Sequence, residues 1–106
     1  IEKKKYIKKK YPYIETMDLE FLEGRAKEIL VHLLFKSHTT TTKEQKDYAY
    51  KEYPFWIMAC MQEMLERMGC TSALSYKENG ISITFDQSQL SQGLINEIVP
   101  IANVRG

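Results

Sequence analysis

Leu74-Ser75-Tyr76-Lys77-Glu78-Asn79-Gly80, running on into Ile81-Ser82-Ile83-Thr84-Phe85, is the stretch on which the fold turns. Asn79-Gly80 offers the two positive-φ positions of a type I′ turn, and apolar and polar residues alternate on both flanks. The spacing predicts a β-hairpin over residues 73–86. With a two-residue loop, Tyr76 is expected opposite Ile83 and Leu74 opposite Phe85, with Ser75, Lys77, Ser82 and Thr84 on the other side. A two-stranded ribbon is marginal in water by itself. Its apolar face therefore needs helices or a neighbouring subunit to cover it, and its edges are open to strand addition.

Downstream, Asp86 is placed to cap a short closing helix in which Leu90, Leu94 and Ile98 recur at helical spacing with Ile95 alongside. Pro100 stops it, and Ile101, Ala102 and Val104 form an apolar tail too short to fold alone. Upstream, Leu19, Leu22, Ala26, Ile29 and Leu33 recur at spacings of three and four, with Leu30 and Leu34 widening the stripe. Asp18, Glu20 and Glu23 sit where a helix dipole favours negative charge, so a helix starts near Thr16. Gly24 falls opposite or beside the stripe, where it is either a site of close helix contact or merely tolerated.

The polar run Ser37-His38-Thr39-Thr40-Thr41-Thr42 ends that helix, because hydroxyl side chains compete for backbone hydrogen bonds. Thr41-x-x-Glu44 and Thr42-x-x-Gln45 both match a capping box, so a second helix begins within a residue of Lys43. It carries Tyr48, Ala49, Tyr53, Phe55, Trp56, Ala59, Cys60, Met64 and Leu65, enough to be buried on more than one side. Pro54 inside this pattern kinks or breaks it near Tyr53, and Gly69 is a good C-terminal cap. The aromatic run could stack on bases, but its core spacing beside Ala and Met favours packing or subunit contact. Met58, Met61, Met64 and Met68 read as adaptable filler or contact surface.

Length and composition bound what this chain can be. Its 106 residues suffice for one core and not two, and 43% hydrophobic with 27% charged residues is normal for a folded globular chain. The formal net charge is +1, so any attraction to nucleic acid or an anionic surface must be local. No apolar run approaches the roughly 20 residues of a membrane span, and no secretory segment follows the Lys-rich start, which predicts a soluble, unsecreted protein. Cys60 and Cys70 stand about 15 Å apart along a continuous helix, too far for a disulfide. With His32 and His38 they lack metal-ligand spacing. Free thiols are expected.

At the other end Lys3, Lys4, Lys5, Lys8, Lys9 and Lys10 surround Tyr6 and Ile7, forming a local basic patch before Tyr11-Pro12-Tyr13 closes the segment. These lysines are candidates for contacting DNA phosphates, although a solvated terminal arm is the simpler reading of residues 1–15.

Taken in order, Arg25-Ala26-Lys27-Glu28-Ile29-Leu30, the ending Glu66-Arg67-Met68-Gly69, the turn Ser75-Tyr76-Lys77-Glu78-Asn79-Gly80-Ile81 and the closing Leu94-Ile95-Asn96-Glu97-Ile98-Val99-Pro100 resemble the head-tail connector (adaptor) proteins of tailed bacteriophages. The resemblance spans most of residues 16–104. It implies a mainly α, small helical bundle with a C-terminal β-hairpin and short closing helix: a helical core at 16–69, the hairpin at 73–86 and the helix and tail at 87–106. It also implies a virion protein at the head-tail junction, assembled in the host cytoplasm. Such proteins form a ring of about twelve copies beneath the portal. The ring extends the DNA channel and carries the stopper or tail-completion protein, and genomic DNA passes through its lumen without sequence-specific binding. In that setting Leu90, Leu94, Ile95, Ile98, Ile101 and Val104 are the candidates for gripping the portal protein or a ring neighbour by burial of apolar area. Lys3, Lys4, Lys5, Lys8, Lys9 and Lys10 are the candidates for lining the channel.

No enzyme is expected: the chain has no Ser/His/Asp set, no carboxylate pair in a predictable cleft and no phosphate-cradling Gly loop, and nothing implies a cofactor. The alternative is a small helical nucleic-acid-binding or regulatory protein using the Lys-rich segment. It lacks an evident recognition helix.

Overall fold

A computed structural model describes residues 3–35, 41–81 and 90–99. Six helices occur among them: α1 (Lys3–Lys10), α2 (Thr16–Leu34), α3 (Lys43–Glu52), α4 (Pro54–Arg67), α5 (Ala73–Asn79) and α6 (Gln92–Asn96). The centre of the bundle is α4 against α2, with α1 lying on both and α3 leading into α4.

The long helices follow from their sequences. α2 starts at Thr16 with Asp18 in its first turn and buries Leu19, Leu22, Ala26, Ile29, Leu30, Leu33 and Leu34 along one face. α3 is started by a reciprocal cap, in which the Gln45 N–H donates to Thr42 Oγ1 at 3.1 Å and the Thr42 N–H to Gln45 Oε1 at 2.8 Å. Pro54 breaks the run as expected. It takes the first position of α4, where its missing N–H would have had no helical partner anyway.

α4 buries Trp56, Ile57, Met58, Cys60, Met61, Met64 and Leu65, and side chains of this size stabilise a fold by about 1.5–3 kcal/mol each when fully buried. It ends in a Schellman motif. Gly69, at φ +76°, donates to the Glu66 carbonyl at 3.1 Å, and Cys70 reaches back to the Leu65 carbonyl at 2.8 Å.

Residues 73–79 correct the hairpin expectation. They form α5, and no strand occurs among the described residues; Ile83, Phe85 and the rest of the expected second strand lie outside them. A cap on the near side explains the outcome: Ser75 N–H donates to Ser72 Oγ at 3.2 Å and Ser72 N–H to Ser75 Oγ at 3.1 Å. Asn79-Gly80 then ends a helix instead of turning a ribbon, with Gly80 at φ +67° donating to the Tyr76 carbonyl at 2.9 Å. A positive-φ glycine serves either geometry, so the dipeptide by itself does not discriminate. Leu74 and Tyr76, which share a face in a strand, diverge on a helix. Leu74 is 67% exposed while Tyr76 turns inward against Tyr13, ring centroids 5.7 Å apart.

The two ends of the chain also join the bundle. Ile7, Tyr11 and Ile14 are buried in the core and α1 packs on α2 and α4, so this segment is anchored to the bundle and is not a solvated arm. The closing helix is capped by Ser91, whose Oγ accepts from the Leu94 N–H at 3.3 Å; Asp86, the expected cap, lies outside the described residues. Trp56 Nε1 donates to the Leu94 carbonyl at 2.9 Å, which ties α6 to the start of α4.

Candidate functional site

The C-terminal apolar stripe is spent inside the chain. Leu90, Leu94 and Ile98 are 5–8% exposed within the protein's own core and Ile95 is half-buried against it, while Ile101 and Val104 lie outside the described residues. Among the described residues of this segment, Val99 is the exposed large apolar side chain.

The basic helix divides its lysines. Lys3 and Lys4 open α1. Lys8 Nζ donates to the Ile14 carbonyl, and Lys10 Nζ stands 5.8 Å from the Tyr11 ring centroid, so both are engaged by the turn that follows α1. Lys5 and Lys9 are exposed one helical turn apart, and Tyr6 beside them is 42% exposed. The helix holds no acidic residue.

A second surface lies on α2, directly opposite its buried face. Met17, Phe21, Gly24 and Glu28 follow at spacings of four, three and four and so share one side of the helix. Met17 is 77% exposed, and a Cβ built on Gly24 meets nothing within 4 Å. Glu20, Phe21, Gly24, Arg25 and Glu28 line a shallow open depression there. Arg25 Nη1 is 3.1 Å from Glu28 Oε1 at its edge. This face was legible as a second stripe of the same period, but the stronger inward stripe masks it. The open space around Gly24 also answers the question its position raised: within this chain nothing packs closely on it.

The two cysteines and the Tyr13–Tyr76 cluster are built into the fold. Cys60 and Cys70 are buried free thiols. Burial pushes Cys60 up to about 12 and raises Cys70 as well, so neither thiolate forms near neutral pH. Around Cys70 a polar junction fixes α5: Tyr13 OH donates to the Cys70 carbonyl at 2.9 Å, Cys70 Sγ to the Gly80 carbonyl at 3.2 Å, and Asn79 Nδ2 to the Gly69 carbonyl at 3.0 Å. Tyr76 OH donates to Asp18 Oδ2 and accepts from the Glu15 N–H. Burial, then the bond to Asp18, raises the Tyr76 phenol above its ordinary value.

Of the aromatic run, Trp56 is buried, Tyr50 and Tyr53 are half-buried, and Tyr48 and Phe55 are exposed. No group of three or more His, Cys, Asp or Glu side chains able to hold a metal occurs among the described residues, and no helix among them is long and apolar enough to cross a membrane. No protein-family model, curated protein or solved structure matches this chain.

Proposed function

We propose that this chain is a structural subunit of a phage head-tail connector. It would assemble as a ring beneath the portal protein, extend the DNA channel and present a platform to the stopper or tail-completion protein, with no catalysed reaction. Besides the sequence resemblance, the observation that supports it is the outward side of α2, where exposed Met17, half-buried Phe21 and bare Gly24 stand beside Glu28. A helix at the surface of a self-sufficient monomer is polar on the side away from its core, whereas α2 carries Met17, Phe21 and bare Gly24 there. A subunit flanked by copies of itself needs such a side.

The nucleic-acid-binding alternative draws less support. Two of the four α1 lysines whose side chains are described are engaged within the chain, and the helix is anchored through Ile7 instead of reaching out as an arm. In a ring, Lys5 and Lys9 would stand either at the lumen or at a boundary between subunits. Sedimentation of the purified chain with and without a cognate portal protein tests the reading: comigration as a ring supports it. A strict monomer that ignores portal yet binds duplex DNA with steep salt dependence would sink it.

A further inference from the structure

We infer that the depression around Gly24 on α2 receives the Tyr6 side of α1 from a second copy of this chain. This names the subunit contact within the ring reading and rests on it. Both surfaces are exposed in one copy, Tyr6 at 42% and Met17 at 77%, so they are available to meet in trans. Their shapes are opposite. Tyr6 is an aromatic side chain on a short helix, whereas Gly24 leaves bare backbone, with nothing beyond its own stretch of helix within 4 Å of where a Cβ would stand. An aromatic ring lying on exposed helix backbone is a close-packed, low-entropy contact.

The charges are opposite too. Lys5 and Lys9 bracket Tyr6 on a helix without acids, and neither lysine has an acidic partner among the described residues. The depression is edged by the Glu20 and Glu28 carboxylates, and Glu28 keeps its side chain 71% exposed while Arg25 bonds one of its oxygens. The two patches differ and lie on different helices, so the contact is heterologous. Repeated from copy to copy, a heterologous contact closes a ring when its rotation divides the circle. The two turns of α1 are small against the roughly 800 Å² per partner of a stable interface. Free copies therefore associate weakly and need the portal to gather them.

Site-directed cross-linking tests the contact at a strength that weak association allows. Tyr6→Cys chains are mixed with Gly24→Cys chains under mild oxidation; both positions are surface sites, and the native thiols are buried. The expected result is a mixed Tyr6→Cys/Gly24→Cys dimer at least tenfold above the yield of Tyr6→Cys with Lys51→Cys, an exposed position on α3. Lys5→Glu with Lys9→Glu should erase that excess, and Glu20→Lys with Glu28→Lys in the other chain should restore it. Equal yields for the two pairings, or preferential Tyr6→Cys self-pairing, overturn the contact.

A second arm separates this inference from the ring reading. Gly24→Trp, which fills the depression without touching the core, should leave the chain folded and lower ring recovery on portal at least tenfold. A ring on portal with undiminished Gly24→Trp overturns the contact and leaves the connector reading standing. Loss of DNA retention by Lys5→Glu/Lys9→Glu chains whose cross-link is unchanged assigns those lysines to phosphate and also overturns it.

Discussion

α4 and α5 are consecutive helices joined by a few residues, and they are stable for opposite reasons. α4 buries seven of its 14 residues, including Ile57, Cys60, Met61, Met64 and Leu65 at 0% exposure. α5 buries none of its seven. It is held by a Ser72 cap at one end, Gly80 at the other, hydrogen bonds from Tyr76 to Asp18 and from Asn79 to the Gly69 carbonyl, and one from Cys70 Sγ to the Gly80 carbonyl. A helix held by packing tolerates a poor cap, whereas one held by caps and polar bonds has little else. Single substitutions should therefore be felt globally in α4 and locally in α5.

The largest expected effect is on the packed side. Leu65→Ala removes a fully buried side chain and should cost about 2–5 kcal/mol in urea unfolding, whereas Leu74→Ala on α5 should stay within about 0.5 kcal/mol. Equal costs for the two would erase the distinction. At the joint, Gly69→Ala forces a side chain into left-handed backbone and sets its Cβ 2.8 Å from Asn79 Nδ2, so about 1–2 kcal/mol should be lost and the Asn79 tether disturbed.

Within α5, Ser72→Ala should cost about 1 kcal/mol of local helix stability, read as faster amide exchange over residues 73–79 with α4 unchanged. Alkali offers a related probe. Tyr76 is raised above 10.0 by burial and its bond to Asp18, so the unfolded phenol ionises first and the folded state binds more protons. The stability Tyr76 contributes is whole below pH 10 and declines as pH rises through its folded value, and Tyr76→Phe should remove that part of the alkaline slope. An unaltered slope would mean the Asp18 bond contributes nothing. Smallest is Gly24→Ala: with open space at its Cβ, it should raise monomer stability by up to about 1 kcal/mol.

The same contrast explains what was legible in the sequence. α2, the break at Pro54 and the Gly69 terminus rest on signals that packing reinforces, and the Thr42 cap on a capping box written out in full as Thr42-x-x-Gln45. The hairpin reading of 73–80 rested on alternation over a few residues and on Asn79-Gly80, and of the alternating apolar pair only Tyr76 packs inward while Leu74 is exposed. The weaker Ser72-x-x-Ser75 cap decided the matter. α1 was obscured differently: six lysines outweigh one isoleucine in any composition, yet Ile7 is fully buried and α1 packs on both α2 and α4. Likewise the stripe of Leu90, Leu94 and Ile98 was visible, but periodicity does not say whether the surface it meets belongs to the same chain. Here it meets its own core, and the candidate contact surface shifts to the outward side of α2.

The most direct test of the connector reading is an image reconstruction of the portal vertex in particles containing this protein. A ring of these helical subunits beneath the portal, with α1 of each copy against the Gly24 side of α2 in the next, is the predicted result. A portal vertex complete without this chain, or particles that package and retain DNA normally in its absence, would contradict it.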